Sequence, residues 1–229
     1  MKTTGAPLGK LLTFAVAEGE TVAARLTEPP GARACYLLAH GAGADMEHPF
    51  MRAVASGLEG FGVATLRYQF PYTQRGSRRP DPPPLCHATV RGAAAEATRL
   101  LPRVPLFAGG RSFGGRMTSQ AQAHSPLPTV RGLAFFGFPL HPAGAPGVTR
   151  AQHLEQVRVP MLFLQGTRDA LAERPFLEEV LGRLGTRARV VWIADADHSF
   201  HVPPRSGRTE REVLGVLLAE LVSCIAPLL

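Results

Sequence analysis

Cysteine is scarce here, and its spacing excludes two broad classes of protein. Cys35, Cys86 and Cys224 are odd in number, far apart and never in a Cys-x-x-Cys pair. Neither a disulfide framework nor a zinc site is indicated, and a reducing, cytoplasmic compartment is expected. Long apolar runs are also missing. No stretch approaches the ~18 residues of a membrane span, so no membrane partner is expected. The segment Leu11 to Ala17 (LLTFAVA) is short for the apolar stretch of an export signal. It continues as EGETVAARL, a second alternating run, and the pair predicts a β-hairpin.

Lysine is almost absent: apart from Lys2 and Lys10, the 25 basic residues are arginines scattered along the chain, and the formal net charge is +7. The one local cluster, Arg75, Arg78 and Arg79, lies in a Pro-rich stretch without aromatic neighbours. Scattered charge of this kind is a solvated surface, and no nucleic-acid partner is expected. No internal repeat or splitting linker is visible. At 229 residues and 45% hydrophobic content, the chain can bury a full core, and a single domain over residues 1–229 is expected.

Short apolar runs alternate with helical patterns. The runs are Ala34 to Ala39, Gly62 to Leu66, Val104 to Ala108, Gly132 to Phe136, Pro160 to Leu164 and Val190 to Ile193. Helical spacing covers Pro49 to Glu59, Ala88 to Leu101, Gly115 to Ala123, Pro175 to Leu184 and Glu210 to Ile225. Strands without polar alternation, separated by helices, predict a doubly wound, mostly parallel α/β sheet with an N-terminal antiparallel hairpin. The Pro-rich stretch from about Phe70 to Leu85 reads as a long loop.

Against that background the stretch AGGRSFGGRM becomes informative. VPLFAGG ends a strand and GGRMTSQAQA begins a helix, which places Gly110-Arg111-Ser112-Phe113-Gly114 on a strand-to-helix turn. The bare Gly-x-Ser-x-Gly pattern is weakly specific, but this setting is the one a nucleophile elbow requires. Phosphate-cradle patterns do not fit, because neither Gly-x-x-x-x-Gly-Lys-Ser/Thr nor Gly-x-Gly-x-x-Gly occurs there.

A serine nucleophile needs a base and an orienting acid, in this fold in the order Ser, Asp, His. Asp169 follows the run PMLFL and His198 follows VVWI, so both belong at the carboxyl edge of the sheet, where catalytic groups of open α/β sheets gather. His201, Asp195 and Asp197 are the rivals. The two aspartates are too near His198 in sequence to reach around its ring, and His201 lies further into the loop. Oxyanion donors are expected from the backbone N–H of Phe113 and of Ala42, in the loop His40-Gly41-Ala42-Gly43 after the run ACYLLA. Gly41 and Gly43 let that loop turn its amides inward, and His40 is expected to pin it by hydrogen bonds.

Residues 137–159, between the runs ending at Phe136 and starting at Pro160, hold little more than one helix. So short a connection predicts an open cleft over the serine, with walls expected from Tyr68, Phe70, Tyr72 and Phe138.

The set HGAGADMEHP, LRYQFPYTQRGSRRPDPPP, GGRSFGGRM, FLQGTRDALA and ADHSF resembles the small, uncapped α/β-hydrolases of the dienelactone-hydrolase-like group. It is similar in particular to the bacterial branch that shares a domain type with a subunit of the animal non-specific lethal histone-acetyltransferase complex. The resemblance spans about residues 20 to 225. It implies a hydrolase fold with Ser112, Asp169 and His198 as triad, an oxyanion loop at Gly41 to Gly43, a small-molecule ester as substrate and no cofactor or metal. Dienelactone hydrolases proper use a cysteine where Ser112 stands, so dienelactone is not the implied substrate. The eukaryotic relatives act as complex subunits, which makes a non-catalytic scaffold the alternative, and the same triad would also serve a thioesterase or peptidase.

Overall fold

The computed structural model describes residues 8–17 and 19–229. Its sheet has eight strands: β1 (Lys10–Ala17), β2 (Glu20–Thr27), β3 (Ala34–Ala39), β4 (Val63–Tyr68), β5 (Leu106–Arg111), β6 (Val130–Phe136), β7 (Met161–Gly166) and β8 (Ala188–Ile193). Their order is β1-β2-β4-β3-β5-β6-β7-β8. The hairpin β1–β2 is antiparallel, β2 joins β4 antiparallel, and every pair from β4 to β8 is parallel.

The central strands are apolar on both faces because helices cover both. In β3, Ala34, Tyr36 and Leu38 pack against α1 (Pro49–Gly60) and α6 (Glu210–Ile225), while Cys35, Leu37 and Ala39 face the core on the other side. That second core includes α3 (Pro83–Leu100), α4 (Phe113–His124) and α5 (Arg174–Leu184). The helix starts follow from their first residues. Pro49 opens α1, and the His48 ring Nδ1 accepts the Phe50 N–H at 3.2 Å. Thr209 and Glu212 form a capping box at α6.

Two regions differ from the sequence expectation. The stretch from Phe70 to Leu85 is not one loop: a short helix α2 occupies Pro71–Gln74, and α3 begins at Pro83 rather than Ala88. Proline fixes φ near the helical value and lacks only an N–H that the first turn leaves unpaired, so consecutive prolines can start a helix as well as break one. The strand expected to end at Leu66 continues to Tyr68 and carries Arg67 into full burial. There its Nη1 donates to the Met46 carbonyl at 2.9 Å, beneath the segment that leaves the loop after β3.

Residues 137–159 hold a 3-10 helix at Thr149–Gln156 and no cap. Among the described residues no helix is long and apolar enough to cross a membrane. β3 has β4 on one side and β5 on the other, so the connections leaving β3 and β5 run in opposite directions. A crevice opens at such a switch point, at the carboxyl ends of these strands.

Candidate active site

Ser112 sits between the last residue of β5 and the first of α4, with φ 49° and ψ −115°. A non-glycine residue with positive φ is held there only by its surroundings. Two glycines make the turn possible. A Cβ on Gly110, whose φ is 144°, would lie 2.2 Å from the Ala39 carbonyl oxygen. One on Gly114 would lie 2.5 Å from the carbonyl oxygens of both Ala39 and His40. The elbow and the end of β3 thus touch backbone to backbone, which brings the loop after β3 beside the serine.

The serine hydroxyl is in hydrogen-bond contact with His198 Nε2 at 2.8 Å, and His198 Nδ1 with Asp169 Oδ2 at 2.7 Å. Asp169 is buried, and its Oδ1 accepts the Leu171 N–H at 2.8 Å. Gln165, fully buried at the end of β7, donates its amide N–H to Asp169 Oδ2 and accepts the Phe138 N–H at 2.9 Å. This glutamine escaped the sequence reading; the available signal was a polar residue within an otherwise apolar strand.

The other acidic residues of the histidine loop have a different job. Asp197 Oδ1 accepts the N–H groups of Ser199 at 2.7 Å and His201 at 3.0 Å. These bonds stabilise a loop in which Asp195 and Phe200 both have positive φ, at 60° and 66°. His201 is exposed and stands 3.6 Å from both Asp197 and Glu210, away from the serine.

Gly41 is buried against the elbow, and a Cβ there would be 3.8 Å from the Ser112 Cβ. Ala42 and Gly43 are exposed. Phe113 occupies the first turn of α4, where backbone N–H groups lack intrahelical acceptors and the helix dipole is positive. His40 is fully buried; its Nδ1 meets the Gly41 carbonyl at 2.9 Å and its Nε2 accepts the Phe70 N–H at 3.1 Å. That pattern fits the neutral Nδ1–H tautomer, and burial lowers the imidazole pKa to about 4. His40 therefore ties the loop to the start of α2 without carrying charge.

Four expected cleft walls are corrected. Tyr68, Phe70, Tyr72 and Phe138 are buried. Phe70 and Tyr72 pack on Phe113 with ring centroids 5.4 and 6.2 Å apart, and Phe138 packs on Phe135 and Phe163. α2 and α3 cover the end of β4, so Tyr68, Phe70 and Tyr72 become core behind the elbow, while Phe138 joins the core on β6 and β7 through Phe135 and Phe163.

Open space lies elsewhere along the same edge. One cleft of about 520 Å³ is bordered by Gly43, Asp45, Glu47, Thr73 and Arg78. Another, of about 460 Å³, lies between α1, α6 and residues 199–201 and is also lined by Arg111. His48 and Pro49 border both.

Known proteins share this arrangement of elements. An alpha/beta hydrolase domain family model matches residues 32–226. The dienelactone hydrolase of Anabaena variabilis superposes with a TM-score of 0.76 at 24% identity, covering 97% of this chain and 99% of that one. An α/β serine hydrolase homologue from Coxiella burnetii gives 0.74 at 17% identity, over 95% of this chain and 100% of that one. A lidless α/β serine hydrolase from Xanthomonas campestris gives 0.70 at 20% identity, over 93% and 94%. The chain belongs to the alpha/beta hydrolase domain family, and its fold is that of the small, uncapped, dienelactone-hydrolase-like members.

Proposed function

We propose that the protein is a serine hydrolase that cleaves small, short-acyl carboxylic esters through an acyl-enzyme. The observation that carries this reading is the continuous hydrogen-bonded chain from Ser112 through His198 to Asp169, mounted on a strained elbow.

His198 Nε2 takes the proton of Ser112 as Oγ attacks the ester carbonyl carbon. The backbone N–H groups of Phe113 and Ala42 hold the resulting oxyanion, with Gly41 and Gly43 shaping the loop against the bound ester. His198 then returns the proton to the leaving alcohol oxygen as the C–O bond breaks. Water, deprotonated by the same imidazole, attacks the acyl-enzyme and frees the acid. Asp169 keeps the imidazole in the Nδ1–H tautomer and stabilises its cationic form throughout. Each oxyanion donor contributes on the order of 10²-fold or more to such a step.

The short-acyl preference rests on the aromatic packing behind the elbow. With Phe70 and Tyr72 filling that space, added acyl methylenes stay in water and do not gain the ~0.8 kcal/mol each that burial supplies. A series of p-nitrophenyl esters tests both points. The highest kcat/KM is expected for acetyl to butyryl, with decline beyond roughly six to eight carbons. Ser112→Ala is expected to lower the rate by on the order of 10⁴-fold while the protein stays folded. A kcat/KM that keeps rising to dodecanoyl would refute the short-acyl site. A Ser112→Ala variant within tenfold of an active parent would remove Ser112 from the mechanism, and a parent without activity would favour the scaffold reading.

A further inference from the structure

We propose that the cleft between α1 and α6 is the subsite for the alcohol half of the ester, and that it takes an unbranched apolar alcohol of about six carbons. This rests on the hydrolase reading of Ser112 and adds to it the side of the substrate on which carbon is recognised.

The cleft has a volume of about 460 Å³, within the range of ~300–1,000 Å³ typical of small-molecule sites. Its floor is apolar: Phe50 and Ala53 from α1, Leu214 and Leu217 from α6, and Phe200 from the histidine loop. Phe50, Ala53 and Leu214 are only half-buried, so a ligand lying there would remove apolar surface from water. Arg111, which precedes Ser112 in the chain, also lines the cleft. Its guanidinium lies over the Phe50 ring, 4.9 Å from the centroid, and its Nη2 donates to Ser199 Oγ at 2.8 Å.

The direction of the reaction assigns the occupant. When the C–O bond breaks, the alcohol leaves with the proton that His198 Nε2 carries, so the leaving oxygen must lie within hydrogen-bond reach of that nitrogen. The chain attached to that oxygen therefore starts on the histidine side, and Ser199, Phe200 and His201, which follow His198 directly, form one wall of this cleft. Behind the elbow, Phe70 and Tyr72 are buried and packed on Phe113. The other cleft, bordered by Gly43, Asp45, Glu47, Thr73 and Arg78, suits a polar alcohol instead.

Two isomeric esters separate the halves of the substrate: hexyl acetate and ethyl hexanoate contain the same atoms, with the long chain on opposite sides of the carbonyl. Hydrolysis is followed by acid release. Full burial of the four methylenes that distinguish hexyl from ethyl acetate would raise kcat/KM roughly 250-fold, at about fourfold each. In an open cleft at least about 20-fold is expected. Ethyl hexanoate is expected to gain nothing over ethyl acetate. Leu214→Asn, which makes the floor polar, and Ala53→Phe, which fills it, should each bring the hexyl-to-ethyl acetate ratio to within about threefold of one. Three results would overturn the assignment: ethyl hexanoate as the better isomer, a ratio that neither variant moves, or glyceryl monoacetate preferred to hexyl acetate. Hydrolysis of none of these esters above the Ser112→Ala background would remove the hydrolase reading itself, and the subsite with it.

Discussion

Replacing Asp169 by asparagine changes one atom's chemistry at a position where three N–H groups converge. Oδ2 faces His198 Nδ1 and the Gln165 amide, and Oδ1 faces the Leu171 N–H. Only an acceptor-only group satisfies all three, which a carboxylate does and a carboxamide does not. If the asparagine oxygen stays on His198, its NH₂ meets the Leu171 N–H, and two buried donors are left facing each other. If the oxygen turns to Leu171, the NH₂ faces His198 Nδ1 and forces the imidazole proton onto Nε2. There it points at Ser112 and cannot take the hydroxyl proton. The second arrangement is expected to dominate, because it satisfies the backbone, and it lowers kcat by on the order of 10⁴-fold, about 5.4 kcal/mol of barrier. Stability should fall by about 1–3 kcal/mol from the mismatched buried donors. Burst and steady-state hydrolysis of p-nitrophenyl acetate at neutral pH measure the first effect, and urea unfolding measures the second. A folded Asp169→Asn variant retaining more than a tenth of the parental kcat would refute the tautomer argument.

Two further substitutions and a pH series probe the scaffold around the site. Gly114→Ala places a methyl 2.5 Å from two carbonyl oxygens at the end of β3. Since neither backbone can yield without moving the loop after β3, a drop in kcat/KM of about 100-fold or more with a lowered Tm is expected; parental values for both would contradict the close crossing. His40 and His153 are both lowered by burial from 6.5 to about 4, so the unfolded chain binds their protons at a pH where the folded chain does not. Stability is therefore complete above the unfolded pKa and is lost as pH falls toward the folded one, by on the order of 3 kcal/mol per histidine. Urea midpoints should fall steeply between pH about 6.5 and about 4, and His153→Gln should remove roughly half of that slope. A flat profile over that interval would show that these rings titrate normally.

The parts of the fold that could be read from the sequence are those where burial on both faces leaves a direct signature. The apolar runs that became β3 and β5 to β8 carry no polar alternation, because helices cover both sides of the sheet. The elbow was readable because glycines at 110 and 114 answer a steric need that the backbone of Ala39 and His40 imposes. What could not be read depends on contacts made far along the chain. Arg67 sits in a core strand because the Met46 carbonyl and Glu47 receive it, and nothing near position 67 announces that. Tyr68, Phe70, Tyr72 and Phe138 looked like cleft walls because they stand near strand ends, yet α2 and α3 bury the first three. The prolines at 83 and 84 read as loop when they start a helix. Gln165 stands out in the sequence only as a polar residue near the end of an otherwise apolar strand, and its role is set by the carboxylate of Asp169, which accepts from it.

The central claim is that Ser112 is a nucleophile activated by His198, and its most direct measurement is covalent trapping. A fluorophosphonate probe reacts with an activated serine hydroxyl by displacing fluoride and leaving a stable phosphonyl ester. Intact-mass analysis followed by peptide mapping should find one adduct per chain, located on Ser112. Labelling should be lost in Ser112→Ala and slowed by orders of magnitude in His198→Ala. An unlabelled parent protein, or an adduct on any other residue that persists in Ser112→Ala, would contradict the account.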